Sequence, residues 1–145
     1  MKKLGRFICF VLVCSLLLAV PAQTVSAETR ASTFFSSYGT DLEKTSSISF
    51  RIWFDVVANV ATMDVLGVSE IIVYSSPDQQ TWTKMKTYKM ADYPQMVEQN
   101  SSSHEGYVTY NYTTPGYYYT AYITFYAKDS RGIGERYVYT EILRM

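Results

Sequence analysis

A chain of 145 residues has room for one ordinary domain, because a second would have almost no core to bury. With 48% hydrophobic and 18% charged residues, 7 Gly and 4 Pro, it is too apolar for disorder and too poor in Gly and Pro for a fibrous repeat. Its 13 basic residues balance 13 acidic ones, which leaves no electrostatic case for nucleic acid or an anionic lipid surface as partner.

Lys2, Lys3 and Arg6 head an uncharged apolar run over residues 7–20, followed by Pro21, Ala22 and, at the end of a short polar stretch, Ala27. That is the pattern of a secretory signal peptide, and the run is shorter than the ~20 residues a membrane-crossing helix needs. Cleavage is expected after Ala27, with Ala22 as a second site. Residues 1–27 are therefore read as the leader and residues 28–145 as a single domain that meets a membrane only in transit. Three positive charges leave with the leader, so ten basic residues then face 13 acidic ones. Cys9 and Cys14 leave too, and the domain is expected to stand on its core without disulfides, a habit more common in bacterial than in animal secreted domains. Val11-Leu12-Val13 lacks the small residue that precedes a lipid-bearing cysteine, and residues 141–145 carry no wall-sorting signal. The product is expected to be released outside the cell or held there only non-covalently.

The 16% aromatic content, mostly 14 Tyr, favours strands, because flat rings pack well on a pleated surface. A first strand is expected within residues 33–41. Residues 48–56 alternate strictly, with Ile48, Phe50, Ile52, Phe54 and Val56 on one side and Ser49, Arg51, Trp53 and Asp55 on the other, which predicts a half-buried strand. Residues 68–75 form the next, and the triplet Ile71-Ile72-Val73 suggests a central position with both faces covered. Pro77 and Asp78 turn the chain into residues 81–88, a hairpin partner whose lysines suit an edge. Alternation fails over residues 89–105, where one short helical turn and a flexible Ser101-Ser102-Ser103 loop are expected. Residues 107–112 alternate again, Thr114-Pro115-Gly116 turns, residues 117–127 make the longest strand, residues 128–134 turn once more, and residues 137–143 close the chain. About seven short strands without a convincing helix are best buried as two facing antiparallel sheets, so the fold is expected to be an all-β sandwich.

The run Pro115-Gly116-Tyr117-Tyr118-Tyr119-Thr120-Ala121-Tyr122-Ile123-Thr124-Phe125-Tyr126-Ala127, with Asp129 and Gly132 after it, resembles the sixth strand and following hairpin of fibronectin type III domains, within the immunoglobulin-like sandwiches. The resemblance implies that Tyr119 is the tyrosine whose hydroxyl ties its strand back to the preceding corner. The hairpin carrying Trp82 is similar to the third and fourth strands of that fold. The chain departs from it in the long stretch 89–105 and in the register of its second strand. Thr62-Met63-Asp64, Leu66-Gly67-Val68-Ser69, Ser103-His104-Glu105-Gly106 and residues 122–127 also resemble an uncharacterised family of small secreted proteins of Gram-positive bacteria, a likeness that brings no activity with it.

Residue types argue against chemistry. The domain has no Cys and only His104, so a nucleophile would lack a base, and no Gly-x-Ser-x-Gly elbow is present. His104 is expected as an exposed or turn-capping imidazole. No metal and no cofactor is expected: zinc would lack its Cys and His ligands, and Asp55, Asp64, Asp78 and Asp129 are spread too singly for calcium. Gly132 and Gly134 are read as hairpin residues rather than a phosphate cradle.

Ten of the 14 tyrosines fall between Tyr107 and Tyr139. The register that buries Tyr119, Ala121, Ile123 and Phe125 turns Tyr118, Tyr122 and Tyr126 outward, and with Val138 and Ile142 inward, Tyr137 and Tyr139 join the same outer face. Ile72 and Tyr74 would extend it. Tyrosine offers large amphipathic area at low entropic cost, so Tyr118, Tyr122, Tyr126, Tyr137 and Tyr139 are the candidate binding residues. The competing account is that Tyr and Thr merely stabilise solvent-facing strands through cross-strand pairing. The expected function is a secreted, non-catalytic recognition module for a glycan or a cell-surface protein, using this face or the loop at residues 128–134. A structural or self-associating envelope protein is the alternative, and a small glycoside or peptide hydrolase the weaker third.

Overall fold

The computed structural model describes residues 33–59 and 62–145, and the leader read over residues 1–27 lies outside the described residues. Nine strands run through them: β1 (Phe35–Lys44), β2 (Ser49–Ala58), β3 (Met63–Ser76), β4 (Thr83–Lys89), β5 (Val97–Ser101), β6 (Ser103–Asn111), β7 (Tyr118–Asp129), β8 (Gly132–Tyr139) and β9 (Leu143–Arg144). One three-stranded sheet has the order β1-β2-β6. The other follows β4-β3-β7-β8, with β5 also paired to β3 and β9 to β7, and every pairing is antiparallel. The protein is thus an all-β, two-sheet sandwich.

Strict alternation on β2 buries Phe50, Ile52, Phe54 and Val56 against the inner face of the second sheet, where Leu66, Val68, Ile71, Val73, Tyr119, Ala121, Ile123, Phe125 and Ala127 meet them. Each Phe, Leu, Ile and Val among them, taken fully out of water, contributes ~1.5–3 kcal/mol before the entropy of ordering it is subtracted, and the two alanines less. On β3 the inward residues are even-numbered at Leu66 and Val68 but odd-numbered at Ile71 and Val73. A bulge reconciles them: Val68 pairs with Phe125 and Ile71 with Ile123, so β3 spends one residue more than β7 between these pairs. The extra residue keeps both apolar sets on one face. Tyr88, buried on β4, donates its hydroxyl to the Thr109 carbonyl at 2.8 Å and so ties the edge of one sheet to β6 of the other.

Several expectations are corrected. Ile48 precedes β2 and is 56% exposed rather than inward. The longest strand is β3, not the one near residues 117–127. Residues 89–105 contain the expected helical turn, at Pro94–Met96, but then form β5, and Ser101-Ser102-Ser103 is no flexible loop: Ser101 Oγ donates to the Ser103 carbonyl at 2.6 Å at a corner where the chain passes from one sheet to the other. The stretch was unreadable because Glu98, Gln99 and Asn100 are exposed and only Met96 is buried, so no alternation is written there. The turn after β7 is confined to Ser130 and Arg131, and the closing strand expected over residues 137–143 is divided between β8 and β9, leaving Ile142 outward and 50% exposed.

The docking of β5 depends on Gly67. A Cβ at this position would collide with the Met96 carbonyl oxygen and lie 2.7 Å from Val97 Cα, and the φ of +152° already disfavours a side chain. Gly67→Ala is predicted to destabilise the fold by about 1–3 kcal/mol, the usual cost of overpacking, measured as a lower denaturant midpoint. An unchanged midpoint would show that β5 yields freely.

Candidate functional site

Register on β7 is set from inside. Tyr119, 1% exposed, packs its ring 5.4 Å from Phe50 and 5.9 Å from Tyr110, and its hydroxyl accepts the Thr114 N–H at 2.8 Å. Pro115 and Gly116 make the corner: Tyr117 N–H donates to the Thr114 carbonyl at 3.2 Å, and Gly116 takes φ +83°, a conformation that suits glycine. The hydroxyl therefore ties β7 back to its corner as the resemblance implied. With Tyr119 inward, period two puts Tyr118, Thr120, Tyr122, Thr124 and Tyr126 on the outer face.

Cross-strand pairing completes that face. Tyr122 lies opposite Tyr139 on β8 and Ile72 on β3, Thr120 opposite Tyr74, and Thr124 opposite Tyr137. The Tyr122 ring stacks on Tyr137 at 5.9 Å with the planes 7° apart and sits 4.8 Å from Tyr139. Tyr137 and Tyr139 remain 57% and 62% exposed. Three of the five candidate tyrosines thus come together. Tyr118 and Tyr126 share the face but not the cluster, since each is four residues from Tyr122, roughly 13 Å along a strand. Tyr118 lies under the Arg144 guanidinium at 5.6 Å, and Tyr126 faces Glu135 across the ladder.

Beside the cluster the outer strand breaks. Thr140 N–H still donates to the Ala121 carbonyl at 2.9 Å, but the Ala121 N–H donates to the Thr140 hydroxyl at 2.9 Å, and the chain swings out before returning as β9. That break opens a cleft of about 450 Å³ lined by Tyr74, Trp82, Thr120, Tyr139, Thr140 and Ile142. Its far wall, Trp82, follows a turn held by Asp78, whose carboxylate accepts the Gln80 and Thr81 N–H groups at 2.9 Å each and the Ser76 hydroxyl at 3.0 Å. Those bonds, the Thr81 N–H foremost, hold the Asp78 carboxyl below its usual range. Sequence reasoning placed Trp82 on a strand and missed its role here; its neighbourhood with residue 140 is a product of the β3–β7–β8 pairing and has no local signal.

The opposite sheet carries its own aromatic pair, which is occupied. Trp53 lies opposite Tyr107, with the rings 4.6 Å apart. The Trp53 indole N–H donates to Glu43 at 2.8 Å, and the Arg51 guanidinium covers the Tyr107 ring at 4.8 Å. His104 is likewise a structural group. It stands on β6 rather than in a loop, its side chain only 11% exposed, with Nε2 3.1 Å from the Gln95 carbonyl, Nδ1 3.3 Å from Glu98, and Phe54 5.6 Å away. It braces the 94–98 stretch against β6.

Two predictions follow from this geometry. Tyr119→Phe leaves the Thr114 N–H to water and is expected to cost about 0.5–1.5 kcal/mol in denaturant unfolding; no loss would mean the corner holds itself. Tyr137 donates to Glu135 at 2.7 Å, and this bond, followed by repulsion from the carboxylate, raises its phenol above the ordinary 10.0. The folded chain thus favours protonated Tyr137. The stabilisation is complete below pH 10.0 and is lost as pH climbs through the higher folded value. Glu135→Gln is expected to remove one late-titrating phenol from the phenolate absorbance curve, and an unaltered curve would contradict the assignment.

No protein-family model matches the chain, and no curated protein matches its sequence. Among solved structures, the fold is similar to that of Spo0M, a sporulation control protein from Bacillus subtilis, with a TM-score of 0.40 and 9% identity over 72% of this chain. The matched region spans about half, 49%, of that chain.

Proposed function

We propose that the chain is a secreted, non-catalytic recognition module whose contact surface is the outer face of the β3-β7-β8 sheet. The observation that carries the reading is the joining of an exposed tyrosine cluster to an aromatic-walled cleft on one side of the sandwich, while the comparable Trp53 and Tyr107 pair is engaged by Glu43 and Arg51. Contiguous exposed aromatic area of this kind marks interaction sites more often than scattered single residues do. Beneath it we place a fibronectin type III-like arrangement. Setting β5 and β9 aside leaves seven strands divided three and four, and Tyr119 makes the corner bond expected of such a sandwich.

Presenting the chain to an array of oligosaccharides and cell-surface proteins tests the reading. Binding is expected to be lost on replacing Tyr137 and Tyr139 together by serine, with the Tm moving by only a few degrees, because both rings are largely in water already. Undiminished binding by the double variant, or a loss of fold equal to the loss of binding, would overturn it. Sedimentation of the same chain separates recognition of another molecule, which predicts a dilute monomer, from self-association through this face.

A further inference from the structure

We propose that the cleft walled by Trp82 and Tyr139 takes a neutral, extended glycan of β-linked, gluco-configured sugars, an assignment that rests on the recognition reading above and names its ligand.

Charge is the first constraint. The six residues that line the cleft are Tyr74, Trp82, Thr120, Tyr139, Thr140 and Ile142, and none bears a charge. An anionic sugar or a charged peptide would surrender hydration there with no ion pair to replace it. The second is the state of the polar atoms. Thr120 and Thr140 spend their hydroxyls on the fold: Thr120 donates to the Thr140 carbonyl at 3.1 Å, and Thr140 accepts from Ala121 and donates to the Glu141 carbonyl at 3.0 Å. By contrast the Tyr74 and Tyr139 hydroxyls and the Trp82 indole N–H make no hydrogen bond among the described residues, and none of them is a buried, unsatisfied group. The lining therefore combines aromatic faces with two hydroxyls and one N–H available to a ligand. Trp53 shows the alternative: its N–H is already consumed by Glu43.

That pairing of faces and donors matches a sugar ring. Axial C–H bonds carry slight positive charge and meet the negative face of an aromatic ring, while the equatorial hydroxyls around the rim exchange hydrogen bonds with phenol and indole groups. A β-linked gluco-configured ring has all its substituents equatorial, so both broad faces are C–H surfaces, whereas an α-linkage places one substituent axial. Size points the same way. About 450 Å³ lies low in the ~300–1,000 Å³ range of small-ligand pockets, whereas a folded protein partner covers roughly 800 Å² per side. Beyond Tyr139 the surface continues as the near-parallel Tyr122 and Tyr137 rings on a strand face. An extended β-linked chain can follow that line, but a helical α-linked chain would curl away from it.

Calorimetric titration of the chain with cellohexaose, N-acetylchitohexaose, maltohexaose and an oligogalacturonate tests the assignment. At least one of the two β-linked probes is expected to bind at least tenfold more tightly than maltohexaose and the acidic oligomer. Trp82→Ala is expected to weaken that binding at least tenfold, while Trp82→Phe retains most of it. Thermal unfolding of both variants identifies any loss that is merely structural. Equal affinity for maltohexaose or the acidic oligomer, or binding indifferent to Trp82→Ala in a folded variant, overturns the proposal. So does silence from both β-linked probes. If an array ligand is still lost on Tyr137→Ser with Tyr139→Ser, only the ligand assignment falls and the recognition reading stands; if nothing bound depends on those tyrosines, both fall.

Discussion

The arrangement rests on the orientation of one residue, Tyr119. Its ring fills the core between Phe50 and Tyr110, and its hydroxyl holds the Thr114 N–H across the corner that introduces β7. A strand whose side chains alternate cannot slip by one residue without exchanging its faces. Here a slip would drive Tyr118, Thr120 and Tyr122 into the core and throw Tyr119, Ala121 and Ile123 into water. Burial of the odd-numbered residues thus presents the even-numbered ones, and the outer face is a consequence of the inner one.

The two sheets treat their outer aromatics differently. On the β1-β2-β6 side, Trp53, Tyr107, Arg51 and Glu43 satisfy one another through ring contact, cation–π contact and a hydrogen bond, as cross-strand neighbours on a solvated face do. On the other side the rings gather but their polar ends are only partly used: Tyr137 is engaged by Glu135, whereas Tyr74, Tyr139 and Trp82 are not engaged among the described residues. The division of the last strand into β8 and β9 sharpens the contrast. By substituting the Thr140 hydroxyl for a backbone carbonyl, the chain leaves the ladder without leaving Ala121 unpaired, and the space it vacates becomes the cleft.

Sequence reasoning reached the sandwich because its evidence is local and periodic. Residues 50–56 and 119–127 spell out which face is buried, and the Pro115-Gly116 corner announces itself. It reached Tyr122, Tyr137 and Tyr139 by the same alternation. What it missed depends on pairing between distant segments. Grouping Tyr118 and Tyr126 with the other three ignored the length of the strand, since period two fixes the face but not the distance. Trp82 could not be joined to Tyr139 without knowing that β3 and β8 flank β7. Parity also failed as a guide across the β3 bulge, and the 97–101 strand hid because its side chains are mostly in water.

If the outer face of the β3-β7-β8 sheet is the contact surface, the two tryptophans, Trp82 beside it and Trp53 on the opposite sheet, report on the two faces separately. The direct measurement is the pair of indole N–H resonances in a nitrogen-correlated proton spectrum of the chain during titration with cellohexaose or N-acetylchitohexaose. The Trp82 signal is expected to shift saturably with one of these ligands while the Trp53 signal, held by Glu43, stays in place. A shift at Trp53 with Trp82 unmoved would contradict the proposal.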